Sequence, residues 1–311
     1  MTQTLLLRII MAAIGSFILF AAIFSLPFAA LPMAYIGLTF GITQGGLVAV
    51  GAIALTALLM APSLAVIFTI MFLAPTLVLV RQALLSRTMD DGTFEFFPLE
   101  KLIVLALAMT GIGTLLIFSL FGGEAGMPQN FANSIANTPE LRQVLGQMYD
   151  LSTPEAALQV ANLIIISGFA SWPLLLLGNL QIAQALAIKL GRNLRPAGDY
   201  TTLTLPIWLM PVLLVCLATS SVTGGWVATM AATLSGMVLV AYFLLGLAII
   251  HAISRPWNAR GLFLATLYFL LFVMAWVIIP IALMGLLDVR FDFRKLTKSP
   301  DKPSDTQGDE E

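Results

Sequence analysis

The chain has 311 residues, 59% of them hydrophobic and only 10% charged, with a mean hydropathy of +0.97. Soluble domains carry roughly 25% charged residues, so composition excludes an ordinary water-soluble protein. Fifteen basic and 16 acidic residues leave a net charge of −1, which excludes a basic face for nucleic acid. A single cysteine, Cys216, excludes an intrachain disulfide or a cysteine metal cluster.

Between Arg8 and Arg81 there is no Asp, Glu, Lys, Arg or His. A bilayer crossing needs roughly 20 apolar residues, so this stretch predicts several crossings turned at Pro27, Pro32, Gly45, Gly46 and Pro62. The first apolar run, residues 9–26, resembles a secretory leader, but further apolar runs follow and we read it as a retained helix. Residues 28–42 are short for a crossing; 47–60 and 64–80 form the third and fourth segments. A polar, aromatic connector spans residues 81–101, and segment five runs over 102–121.

Residues 122–155 form a long polar stretch with four acids and one basic residue, Arg142. Within it, Thr138-Pro139-Glu140 reads as a helix start, with Leu141, Val144, Leu145 and Met148 on one apolar face. This predicts a short amphipathic helix on the membrane surface. Segment six, residues 158–190, exceeds one straight crossing and is expected to kink at Pro173. Segment seven (203–219) holds Pro206 and Pro211, segment eight is 226–250, and segment nine (262–287) should kink near Pro280. A charged tail follows.

The expected fold is therefore all-α, a polytopic bundle of eight or nine membrane helices. It divides into a six-helix core over residues 1–195, further helices over 196–288, and the tail 289–311. Basic residues favour the cytoplasmic side. Arg81 with Arg87, and Lys189 with Arg192 and Arg195, place two loops inside; counting backward places the N-terminus inside. Counting forward puts the tail outside, against its own Arg290, Arg294, Lys295 and Lys298, so one late segment should not cross fully. Segment seven, with two prolines, is the one expected to fall short.

Polar residues in lipid cost free energy unless paired. Segment six concentrates them, and Asn162, with the kink residues Trp172 and Pro173, forms a candidate cavity lining. Gly37, Gly41 and Gly45 recur every fourth residue, a spacing that lets helix backbones approach closely. His251, the one histidine, sits at a helix end. No H-E-x-x-H, G-x-S-x-G, phosphate-loop or dinucleotide motif is present, so the expectation is no enzyme, no metal and no cofactor. Asp288, Asp292 and Arg294 alternate with aromatics after the last segment, as an interfacial anchor or partner motif would.

The ending Gly285-Leu286-Leu287-Asp288 … Asp292-Phe293-Arg294, with Leu31-Pro32 … Gly37 … Gly41 … Gly45 near the start, resembles the YybS-like family of bacterial multi-pass membrane proteins. The resemblance extends over nearly the whole chain. It implies the bacterial plasma membrane and a distant similarity to the substrate-binding subunits of energy-coupling-factor transporters. Those subunits have six helices, both ends cytoplasmic, and bind ligand near the outer face. Carried over, Asn162, Ser167 and Trp172 would face a ligand site closed by segments four, five and six. Where those subunits dock a coupling partner through Ala-x-x-x-Ala, segment one offers Ala12-x-x-x-Ser16. Two roles follow: a transporter-type subunit for a small molecule, or a non-transporting scaffold or assembly factor with a membrane-protein partner.

Overall fold

A computed structural model describes residues 2–90, 92–123 and 125–291. The chain forms two compact units, Met1–Asp199 with Pro206–Ala241, and Tyr200–Leu205 with Tyr242–Glu311. The first unit takes in the expected core over residues 1–195 and continues into the two helices that follow it.

Among the described residues, six helices are long and apolar enough to cross a bilayer, or seven if one sharply bent pair counts as a span. The fold is all-α and polytopic, and length and composition support this smaller number where eight or nine crossings were expected. Two apolar segments are too short on their own. Segment two is a 3₁₀ turn (Ile23–Phe28) followed by α2 (Leu31–Phe40), and segment seven is α10 (Leu209–Val222). Fourteen residues of helix cover about 21 Å, against a hydrocarbon core of about 30 Å.

In the first unit, α1 (Gln3–Ala21) packs on α2 and on α3 (Ile42–Leu59). The glycine series is divided across a helical hairpin. Gly41 sits in the turn at φ +97°, a conformation that side chains rarely adopt. Gly37 of α2 and Gly45 of α3 then face each other, and a Cβ on Gly45 would lie 3.1 Å from the Gly37 Cα. A Cβ on Gly37 would meet Val80 at 2.7 Å. The spacing predicts close packing, and the structure shows that one glycine makes the turn so that the other two can touch.

Segment four is one 22-residue span, Pro62–Ala83, built from α4 (Pro62–Phe68), a π-helical turn (Thr69–Leu73) and α5 (Ala74–Ala83). Pro75 has no N–H to give the carbonyl four residues back, that of Met71. The indole Nε1 of Trp172 donates to that carbonyl at 2.5 Å. Trp172 is buried, and its ring lies over Gly113 of α6 (Leu99–Phe121), where a Cβ would collide with it. Phe169 stacks edge-on against both Phe118 and Trp172, which fixes α6 against α9 (Pro154–Lys189).

Helix α9 runs through Pro173 as a single 36-residue element. Its start is capped by Thr153, whose Oγ1 accepts from the Ala156 amide at 3.1 Å, with Pro154 in the first turn. Its end closes on Gly191 at φ +63°, where the Arg192 amide reaches back to the Ala187 carbonyl at 2.9 Å. The following loop is pinned by Arg195. Its guanidinium donates to the carbonyls of Ala83 (3.0 Å) and Phe97 (2.9 Å), while Gln184 donates to the Arg195 carbonyl at 2.6 Å. Gln184 and Arg195 are buried, so this polar set is a clamp between α5, α9 and the hairpin strand β2 (Phe94–Phe96), which pairs with β1 (Ser86–Thr88).

The polar stretch after α6 holds two helices where the residues predict one, α7 (Met127–Asn137) and α8 (Pro139–Gly146). They rest on α9 through a cluster of Ala132, Ile135, Leu145 and Ala161, with Phe131 and Leu141 beside it. The predicted apolar face of α8 is split. Leu141 and Leu145 join the cluster, whereas Val144 and Met148 are exposed. Asn130 ties α7 to the end of α6, donating to the Gly122 carbonyl at 2.6 Å.

Helix α11 (Gly225–Ile253) begins in the first unit and ends in the second. Thr229 meets Asn162, and Gly236 packs on Ala170, so α9 and α11 run in the same direction. The intervening chain must therefore return. It does so from the Arg195 clamp to Ser220, which lines one cavity with Asn162. Segment seven, expected to fall short, is the 14-residue α10, which is too short by itself to count among the spans.

The broken element is segment nine. Helices α12 (Arg260–Val273) and α13 (Ile278–Phe291) are bent by 120° around Met274, not at Pro280. Within the second unit α13 crosses α11 at two glycines. A Cβ on Gly246 would strike the Ile281 carbonyl, and one on Gly285 the Tyr242 carbonyl.

Candidate functional site

Partner-seeking polar groups in a lipid-embedded bundle fall into two classes. A Ser or Thr hydroxyl has one hydrogen and can spend it on its own helix one turn back; a side-chain amide has an oxygen and two N–H groups, more than one turn of helix satisfies. Thr56, Thr110, Thr114 and Thr233 each donate to the carbonyl four residues earlier, at 2.7–2.8 Å, and so keep no hydrogen for a ligand. Ser167 does the same toward Leu163 at 2.7 Å and is exposed on the outer side of α9. The amides behave otherwise. Asn179 donates both to the Leu175 carbonyl of its own helix and to the Pro27 carbonyl, each at 2.6 Å, and Asn162 pairs with Thr229.

The Asn162–Thr229 pair lines a partly open cavity of about 390 Å³. Its walls come from the start of α7 (Gln129), from α9 (Leu158, Asn162, Ile166), from Ser220 of α10, and from the first turns of α11 (Trp226, Thr229). Gly126 at φ +82° lets the chain enter α7 against Trp226; a Cβ there would lie 3.0 Å from the Trp226 Cβ. Thr229 Oγ1 donates to Asn162 Oδ1 at 2.6 Å, holding the two helices together at the cavity wall.

The three residues expected around one ligand are thus not brought together. Asn162 lines the cavity, Ser167 faces away from the core, and Trp172 is buried against Met71 and Gly113. The cavity lies between α7, α9, α10 and α11, and not between segments four, five and six. Thr229, Gln129 and Ser220 escape a reading of the residues alone, since nothing in their local sequence separates them from self-bonded hydroxyls or a surface amide. Of the terminal motif, Asp288 is buried in α13, whereas Asp292 and Arg294 lie outside the described residues. His251 is held within the second unit: its Nδ1 donates to the Leu247 carbonyl at 2.8 Å, leaving Nε2 3.3 Å from the Tyr268 hydroxyl.

The family model described as Predicted membrane protein (DUF2232) matches residues 6–289. The chain belongs to that family. The DUF2232 match takes in every helix named above except the first residues of α1 and the last of α13, and with them the whole cavity wall. No curated protein and no solved structure matches the chain.

Proposed function

We propose that this DUF2232 protein is a transporter-type subunit, not a catalyst, that captures a small molecule in the cavity beside α7 and passes it across the bilayer. The observation that carries this reading is the Asn162–Thr229 pair on the wall of a cavity of about 390 Å³. Small-molecule sites typically measure about 300–1,000 Å³ and combine an apolar lining with a few convergent polar groups. Leu158, Ile166, Trp226 and Ala232 supply the first feature; Asn162, Gln129, Ser220 and Thr229 supply the second. An asparagine on a membrane helix is costly unless it is used, and this one lines the cavity with its oxygen bonded to Thr229 and its nitrogen bonded to no other described residue.

In this reading the chain sits in the bacterial plasma membrane. The arginine-rich end is cytoplasmic, and the acid-rich stretch that holds α7 and α8 faces outward, so the cavity meets solutes from outside. The resemblance to substrate-binding subunits of energy-coupling-factor transporters supports the same polarity. The test is purification in mild detergent followed by mass spectrometry of retained metabolites and proteins. The wild type should retain a small molecule that Asn162→Leu with Thr229→Val loses while staying monodisperse. A stoichiometric protein partner with no retained molecule would overturn this reading in favour of a scaffold.

A further inference from the structure

We infer that the cavity beside α7 takes an uncharged molecule that presents a hydrogen-bond acceptor to the Asn162 amide, an inference that rests on the capture role proposed above. Among the described residues, none of those lining the cavity is ionisable. Burying an ion without a partner charge is prohibitive beside burying a neutral hydrogen-bonding group. A cation would need an acid on the wall, and among the described residues the polar side chains there are hydroxyls, amides and one indole. An anion would meet the wrong field, because residues 122–155 carry four acids against the single Arg142.

The polar groups that remain are asymmetric. Asn162 Oδ1 is occupied by Thr229 at 2.6 Å, so the amide nitrogen is what Asn162 has left to give. The Ser220 hydrogen goes to the Leu217 carbonyl at 2.8 Å, so this hydroxyl meets the cavity with its oxygen. Gln129 spends its nitrogen on Asn133 Oδ1 at 3.2 Å. The second N–H of Gln129 and the indole of half-exposed Trp226 can turn to water at the open side, so the Asn162 nitrogen, on the wall between α9 and α11, is the donor that an occupant serves best. An occupant with an acceptor near Asn162 supplies its partner, and an apolar body then rests against Leu158, Ile166 and Ala232. A neutral carbonyl, ether or hydroxyl on a partly apolar molecule has this chemistry.

The charge preference of the cavity is readable without knowing its occupant. In a Cys216→Ala background, Ala232→Cys and Ala228→Cys each place a thiol on the wall, and exposed Met148→Cys serves as the control. Intact membranes are treated with methyl methanethiosulfonate and with its anionic sulfonatoethyl and cationic trimethylammonioethyl analogues. Normalised to the control, the neutral reagent should react at least tenfold faster than either charged one at a wall position. A charged reagent within threefold of the neutral one overturns the assignment of an uncharged occupant. Asn162→Asp, which removes the donor but keeps the shape, should lower the co-purifying molecule at least tenfold; undiminished retention overturns the acceptor assignment. A retained molecule together with fast charged modification defeats only the chemical class. Selective neutral modification with nothing retained defeats only the capture role.

Discussion

Replacing Trp172 with Phe isolates one hydrogen bond at the centre of the first unit. Pro75 cannot donate to the Met71 carbonyl, and the Trp172 indole does so at 2.5 Å. Losing that donor strands a carbonyl in a water-free interior, which costs about 1–3 kcal/mol in proteins generally. Between membrane helices, double-mutant cycles average about 0.6 and reach about 1.7 kcal/mol. The smaller phenyl ring adds a packing loss over Gly113. Pro75→Ala separates the two contributions, because an alanine at that position brings an N–H that can serve the Met71 carbonyl itself. Trp172→Phe should therefore cost less in the Pro75→Ala background, by a coupling of about 0.6–1.7 kcal/mol. The assay is reversible unfolding by SDS titration in mixed micelles for wild type, both single variants and the double. Equal costs in the two backgrounds, within about 0.3 kcal/mol, would refute the reasoning.

Three further outcomes follow from named contacts. Gly45→Val should destabilise by about 1–3 kcal/mol through overpacking against Gly37, while its neighbour Gly46→Val, which has nothing within 4 Å, should be close to neutral in the same titration. In the second unit, Gly285→Ala places a methyl on the Tyr242 carbonyl. It should speed limited proteolysis between α12 and α13 well beyond the effect of Gly261→Ala, whose added Cβ meets nothing within 4 Å. Ser152 holds the Asp150 carboxyl below the usual carboxylate range, through its side chain first and its backbone N–H second. The folded state thus favours ionised Asp150, so this contribution is present at neutral pH and lost as the pH falls below about 4. Hydrogen exchange at Ser152, corrected for intrinsic rate, should show protection lost over that acid range in the wild type and absent at all pH values in Asp150→Ala.

Part of the site was legible in the residues, and what was not shares one cause. Asn162 lines a cavity and Ser167 does not, although they sit five residues apart on one helix. Five residues turn the helix by about 140° past a full turn, onto another face. Chemistry separates them as well: Ser167 returns its one hydrogen to its own backbone, whereas Asn162 has an oxygen and two N–H groups to satisfy and takes Thr229 of another helix as a partner. The adjacent Pro173 draws Trp172 into the expected ligand set, when the proline that matters to it is Pro75, nearly one hundred residues earlier. No local pattern links those two positions.

Composition alone settles the solvent of this protein, because so apolar a chain with so few charges suits a bilayer, and its long apolar runs satisfy their backbone there as helices. Local signals also settle a helix start, since proline and a preceding capping residue act over a few neighbouring positions, as at Thr138-Pro139, where α8 begins. Long-range packing made the other choices. It set α9 and α11 in the same direction, bent segment nine at Met274 and not at Pro280, and put Thr229 opposite Asn162. Those outcomes depend on which helix faces which. In lipid every face is nearly equally apolar, so small contacts between residues far apart in the chain select the partner.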